Sequence, residues 1–291
     1  MVFHSADRAG KWIETDSGIT QEVQSLLVAS QGILFAGTDG DGIFTSSDNG
    51  RTWRPANSGL SNLRVWTLAM DTHKHLLAGT SNGVFRSDDN GKSWNEMNRG
   101  LTYPAIVFSF AFDRHGHIYI GTGNEGIYVS KNDGHKWIHL TNGSDFFDVR
   151  ALAINSQGDI FAGVPFGIYR SQDNGKNWSK ASKGLPSNYA SPLQIASNDN
   201  IFVGSPYNGI YKSSDNGDSW IQVNAGLTHL IVYAMYIDSS DNIYAGTFKG
   251  GIFRSTNYGN TWVQSNTGIT NTFVSSIAID KNHNIFAATE G

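Results

Sequence analysis

Two histidine pairs are the most chemically suggestive local features of the chain, His73-Lys74-His75 and His115-Gly116-His117. Imidazoles at i and i+2 can share a transition metal when a carboxylate or a third His completes the set. The sequence assures no such partner beside either pair, so both read as solvated turns, and neither a metal nor another cofactor is expected. Glycoside hydrolysis needs two carboxylates roughly 5 to 9.5 Å apart. The candidates are Asp39, Asp41, Glu125, Asp145, Asp148 and Glu290, and sequence singles out no pair among them. Gly121-Thr122-Gly123-Asn124-Glu125-Gly126 spells a dinucleotide pattern. That pattern needs a following helix whose N-terminus receives the pyrophosphate, whereas Ile127-Tyr128-Val129-Ser130 reads as a strand. No His-Glu-x-x-His segment or phosphate-binding loop occurs, and the absence of cysteine removes thiol nucleophiles, thiolate metal sites and disulfides together.

Bulk composition narrows the possibilities further. At 291 residues a generic domain size suggests two domains. Charged residues at 16% and 33 glycines exclude helical bundles and coiled coils, and an aromatic content of 12% supplies the mass of a packed core. A net charge of −4, with no run of Lys or Arg beyond two, offers no footprint for a phosphate backbone, so no nucleic-acid partner is expected. No apolar stretch is long enough to span a bilayer as a helix, and Met1 to Lys11 is too polar for a secretory signal.

The elements that position these residues emerge from the tryptophans. Seven of the eight stand at 12, 53, 94, 137, 178, 220 and 262, spaced 41 to 43 residues apart. Around them runs one signature: Ser46-x-Asp48-x-Gly50-x-Thr52-Trp53, Ser87-x-Asp89-x-Gly91-x-Ser93-Trp94 and Ser213-x-Asp215-x-Gly217-x-Ser219-Trp220. Asp173 keeps the carboxylate before Trp178, Asn132 and Asn257 replace it before Trp137 and Trp262, and the first copy has Ala9 in place of Gly. Each repeat reads as four short strands, such as Val65 to Met70, His75 to Gly79, Gly83 to Ser87 and a run beginning at Trp94, bounded by Gly, Asn, Asp and Ser. Asn-Gly or Asp-Gly pairs at 49-50, 90-91, 133-134, 174-175 and 216-217 supply the positive φ of a tight third-to-fourth-strand turn. A lone four-stranded sheet exposes both faces, and radial repetition buries them. The expected fold is therefore an all-β, seven-bladed β-propeller of four-stranded antiparallel blades, forming one domain over 1–291. The last blade is built from 271–291 plus 1–15, so that the chain ends close the ring and pair edges otherwise open to association.

The signature S-x-D-x-G-x-[ST]-W resembles the Asp-box, or BNR repeat, of sialidases, xyloglucan hydrolases, sortilin-type receptors and photosystem II assembly factors, and the resemblance covers the whole chain. It implies the propeller fold without fixing an activity, because the box is structural. Box residues Asp48, Trp53, Asp89, Trp94, Asp173, Trp178, Asp215, Trp220 and Trp262 are accordingly assigned to structure: the carboxylate closes its own turn and the Trp buries area beneath it. One carboxylate per box falls short of a calcium site. The sialidases of this superfamily imply an arginine triad and an Arg-Ile-Pro segment; this chain has no Arg-Ile-Pro, and Arg150 alone among arginines occupies the channel column described next. Assembly-factor propellers are associated with a basic patch, whereas this chain is net acidic. Relatives are often secreted or periplasmic, which favours an extracytoplasmic location; a start inside a blade is compatible with a chain cut from a larger protein such as a sensor.

Because the repeats align with one another, positions where they disagree can be read directly. Second-to-third-strand loops vary, with Asp39, Asp41, Glu125, Phe166, Tyr207, Phe248 and Lys249 among their residues, and so do the links into each first strand, such as Asn62-Leu63-Arg64, Tyr103-Pro104, Asp145-Phe146-Phe147-Asp148 and Asn188-Tyr189. In an antiparallel blade both loop sets emerge on the rim opposite the boxes. Near the start of each first strand a column of Gln24, Trp66, Phe108, Arg150, Ser191, Tyr233 and Ser275, spaced 41 or 42 residues apart, should ring the channel mouth. Two readings of its aromatics stand side by side: packing between blades, or flat faces offered to a glycan or a peptide. The expected function is a non-catalytic binding or scaffold propeller, monomeric, that recognises a glycan or protein segment on this rim. The alternatives are a glycoside hydrolase using rim carboxylates, and an assembly-factor or sensor-ectodomain propeller.

Overall fold

The computed structural model describes residues 1–291 except 16–17, 103, 142–145, 147, 187–189 and 291. Among the sequence-derived rim residues, Tyr103, Asp145, Phe147, Asn188 and Tyr189 therefore lie outside the described residues. Seven four-stranded antiparallel sheets form a ring of blades with almost no helix among the described residues, a 3-10 turn at Ser30–Gly32 being one short exception. Each blade runs outward in chain order; the second, for example, comprises Val65–Met70, Leu76–Thr80, Gly83–Ser87 and Asn95–Glu96. The innermost strands touch their counterparts in both neighbouring blades all the way round. In the seventh blade Val2–Ser5 pairs with Ile285–Thr289, and the sheet is completed by Ile13–Glu14 outside and Val274–Ile279 inside. The ring thus closes by mixing the chain ends, as the repeat arithmetic requires.

Burial explains the strand sequences. Second strands such as Leu34–Thr38 and Ile243–Thr247 are buried at every position because a neighbouring blade covers each face. Their fourth residue is small for a steric reason: a Cβ on Gly37 would lie 2.6 Å from Cγ1 of Val65 in the next blade, and one on Gly246 would lie 2.6 Å from Cγ1 of Val274. The core is consequently a set of clusters straddling blade seams. Phe35 and Ile43 of the first blade join Val65, Leu76, Phe85 and Trp94 of the second. At the closing seam, Val2, Phe286 and Ala288 join Leu26, Leu34 and Trp53.

Each box turn is closed by its own side chains. In the second blade Ser87 Oγ donates to Asp89 Oδ1 and accepts from the Gly91 N–H, while Asp89 accepts from the Ser93 N–H at 2.9 Å and from Ser93 Oγ at 2.6 Å. The Asn-Gly and Asp-Gly pairs hold positive φ, with Asn90 at 60° and Gly91 at 80°. Box tryptophans also reach across seams. The indole N–H of Trp94 donates to the Ala56 carbonyl at 2.8 Å, and Trp12, Trp53, Trp137, Trp220 and Trp262 likewise bond carbonyls of the preceding blade. Trp178 differs, since its indole N–H donates to Gly175 of its own turn at 3.1 Å.

One strand expectation needs correction. The outermost strands do not begin at the tryptophan; each pairs two exposed residues just after it, as at Asn95–Glu96. The tryptophan leaves the ladder because its side chain turns into the seam. The remaining edge is too short to recruit another chain.

Candidate functional site

The channel column has a structural basis that the spacing alone does not reveal. Inner-strand pairing skips one residue between Val23 and Ser25, Val65 and Thr67, Val107 and Ser109, Val232 and Ala234, and Val274 and Ser276. The residue omitted is the column member each time: Gln24, Trp66, Phe108, Tyr233 and Ser275. A bulge inserts an unpaired residue and re-aims its side chain out of the ladder's alternation. Arg150 and Ser191 occupy the matching places just ahead of shorter inner strands, where their N–H groups donate to Gly163 and Gly204.

Around the mouth these positions form two arcs. In the first, Asp39 of the first blade pairs with Arg64 (Oδ1 to Nε, 2.5 Å), and the Arg64 guanidinium lies 6.0 Å from the Trp66 ring centre. Trp66 meets Phe108 edge-on at 5.5 Å, and the Arg150 guanidinium covers Phe108 at 4.5 Å while pairing with Asp148 at 2.9 Å. Trp66 is half-buried and donates its indole N–H to Ser81 Oγ at 2.9 Å, so it packs between blades and lines the rim at once. In the second arc Tyr233 contacts Phe273 at 4.7 Å and Phe248 at 6.5 Å, and Lys249 Nζ lies 5.0 Å from the Phe248 ring.

Between the arcs lies a depression of about 380 Å³ lined by Arg150, Ser191, Pro206, Tyr207, Ile231 and Tyr233. Tyr207 at 74%, Phe166 at 55% and Tyr233 at 52% are among the most exposed large apolar side chains, and all three lie on this rim. The two remaining loop acids engage their surroundings locally: Asp41 accepts from Thr20 Oγ1, and the Glu125 carbonyl faces His139 Nε2. Burial, reinforced by the charge and hydrogen bond of Glu22, raises the Glu290 carboxyl from its ordinary value. Asp145 lies outside the described residues.

Sequence reasoning passed over Phe273 and Glu22 as site residues and left Arg64 as part of a variable link. All three stand two residues before a column member, as does Asp148, and in extended chain residues two apart share a face. Stepping the column back by two would have found this second ring. The glycine-rich segment at 121–126 is a strand end and a turn, in which Thr122 Oγ1 donates to the Gly126 carbonyl. Gly79-Thr80-Ser81-Asn82-Gly83 spells a nucleophile-elbow pattern, but it links two strands instead of a strand and a helix, and Ser81 Oγ is engaged by Trp66.

The BNR/Asp-box repeat profile matches residues 169–180, the third strand and box turn of the fourth blade. No curated protein matches the chain in sequence. Among solved structures, an extracellular domain named for a hybrid two-component system of B. thetaiotaomicron is similar at a TM-score of 0.79 and 23% identity, over 96% of this chain and 40% of that one. The GH74 xyloglucanase from Xanthomonas campestris gives 0.78 at 16% identity, over 97% of this chain and 52% of the enzyme. YCF48, solved bound to D1 peptide, gives 0.74 at 14% identity, over 95% of this chain and 96% of YCF48. These likenesses establish the fold. The chain spans 38% to 40% of the length of the sensor chains it matches.

Proposed function

We propose that this Asp-box, seven-bladed propeller is a non-catalytic recognition module that takes a glycan or an extended protein segment across the channel mouth, outside the cytoplasm. The observation that carries the reading is the re-aimed column. Bulges turn Trp66, Phe108 and Tyr233 out of the sheet ladder toward a rim where Arg150 and Tyr207 share a depression with Tyr233. Exposed aromatic faces flanked by guanidinium and hydroxyl groups suit the apolar faces and hydroxyl rims of sugars, and equally the side chains of a peptide. A sensor ectodomain and a peptide-bound propeller among the similar structures fit a binding role.

The test is an array of glycans and of peptides probed with the intact chain and with Trp66→Ala, Arg150→Ala and Tyr233→Ala. A hit on either array should weaken about 30-fold in at least one variant, the scale of a buried aromatic or Arg anchor, with melting temperatures preserved for the exposed positions. Binding unchanged in all three variants refutes the site.

One observation favours a second reading, hydrolysis. Glu290 is a rim acid whose carboxyl is raised from its ordinary value by burial and by Glu22, the direction a general acid needs. A chromogenic glycoside panel separates the classes, because turnover abolished by Glu290→Gln would replace the binding reading.

A further inference from the structure

The opposite, box-bearing rim holds a second constellation, at the seam of the second and third blades. Asp71 is buried, with 2% of its side chain exposed, and its Oδ1 accepts the N–H groups of His73 and His75 while Oδ2 holds His75 Nδ1 at 2.8 Å. In sister turns the same job is done by asparagine, since Asn242 and Asn284 donate their amides to Asp238 and Asp280. The His75 Nδ1 therefore carries the proton, and Nε2 presents its lone pair outward. That is how a carboxylate sets an imidazole for a metal.

Carboxylates face both imidazoles. Asp88 Oδ1 lies 3.7 Å from His75 Nε2, and Asp133 Oδ1 of the next blade lies 3.3 Å from His73 Nδ1. Two ligands of one tetrahedral zinc ion sit ~3.3 Å apart, given metal–ligand bonds of about 2.0–2.2 Å. One ligand atom each of Asp71, His73 and His75 falls within 4.8 Å of the others, and the His73 side chain is exposed. Arg86 fixes the Asp88 carboxylate, donating to both its oxygens, and ties down the neighbouring turn through the Asp133 backbone carbonyl.

Comparison among the repeats shows that this combination is not inherited from the fold. The place of Asp133 is taken by Asn49, Asn90, Asn174, Asn216 and Tyr258 in other boxes, and the place of Asp88 by Ser47, Lys131, Gln172, Ser214 and Thr256. The neighbouring turn supplies an internal control. His117 Nδ1 pairs with Asp113 at 2.7 Å in the same manner, yet Lys131 and Asn174 stand where the outer carboxylates would be.

We infer that His73, His75, Asp88 and Asp133 form a site for a divalent transition-metal ion of the zinc class, which clips the second blade to the third. Asp71 is a positioning residue there, because it is buried and its oxygens are spent on the turn and on His75, whereas each oxygen of the exposed Asp88 accepts one bond from Arg86 and keeps a lone pair. Two imidazoles and two carboxylates favour such an ion over calcium, which takes six or more oxygens.

Zinc titration of the intact chain by calorimetry tests the assignment, with the melting temperature followed in parallel. Each substitution copies a sister repeat and so preserves the fold: His75→Asn, Asp133→Asn, Asp88→Ser and, as control, His117→Asn. The expected result is one saturable zinc ion per chain and a zinc-dependent rise in melting temperature. His75→Asn and Asp133→Asn should each weaken binding about 10-fold or more, on the scale known for ligand-sphere losses, and His117→Asn should leave it unchanged. Two equivalent ions per chain, binding indifferent to Asp133→Asn and Asp88→Ser, or no saturable binding would each overturn the assignment and leave an adventitious histidine pair.

Discussion

Replacing Trp94 and Trp178 separately by Phe asks whether box tryptophans hold the ring together through the seams or only fill their own blades. Trp94 is buried and donates across the seam to Ala56 at 2.8 Å, whereas Trp178 is half-buried, donates within its own turn to Gly175, and rests on Phe146 at 5.3 Å. In Trp94→Phe the Ala56 carbonyl loses its partner inside the seam, which costs about 1–3 kcal/mol. The missing part of the indole leaves a void of some tens of Å³, worth ~1 kcal/mol more. The sum is about 3 kcal/mol. In Trp178→Phe the lost side chain is only half-buried and its bond lies within one turn, so the cost should be ~1 kcal/mol. With roughly 2 °C per kcal/mol for a chain of this size, the two variants should melt about 6 °C and about 2 °C below the parent. Urea unfolding followed by circular dichroism, at unchanged slope, measures the same difference independently. Equal losses in the two variants would show that the cross-seam bond adds nothing, and the seam-based account of ring cohesion would fail.

Three further outcomes follow from the same geometry. Gly59 has φ +81° and a Cβ there would lie 2.2 Å from the Trp94 carbonyl oxygen, so Gly59→Ala should cost at least as much as Trp94→Phe, whereas Gly32→Ala, with nothing nearby, should cost only its backbone strain; thermal melts compare them. Hydrogen bonds from the Thr52 and Ser93 hydroxyls, then from their N–H groups, hold Asp48 and Asp89 at about 2, below the ordinary 3.8. Their stabilisation is thus complete above pH 4 and lost as pH falls through about 2; urea midpoints in that window should fall with acid, and less steeply in Asp89→Asn. Deleting Met1 to Thr15 removes two strands of the seventh blade, and an unchanged melting temperature in that variant would refute closure by the chain ends.

The fold was legible because the repeat writes its own packing rules into each copy. Tryptophans at a 41 to 43 residue interval and the Asn-Gly turns reported blades, and the half-blades at either end reported closure. Outer strands were overestimated because the hydrophobic pattern continues through the box tryptophan, although that side chain leaves the ladder for the seam. At the rim the column was found by period, but a sequence does not announce a bulge; Trp66 and Phe108 looked like alternating strand residues. Phe273 was overlooked because its partners Tyr233 and Phe248 come from the preceding blade. Asp133 escaped for a similar reason, lying some 60 residues from Asp71 in the chain while its carboxylate meets His73. What remained hidden at Phe273 and Asp133 is a contact across a seam, where residues of adjacent repeats become neighbours.

The bulges carry a consequence for change at the mouth. A residue that owes the sheet no pairing partner can be exchanged without rewriting the register of its strand. Gln24, Trp66, Phe108, Tyr233 and Ser275 already sample amide, indole, phenyl, phenol and hydroxyl on one common backbone device. The ring therefore behaves as a set of interchangeable sockets around one opening, and a combinatorial library randomised at those five sockets should yield folded rings with new specificities, each selectable by display against a chosen ligand.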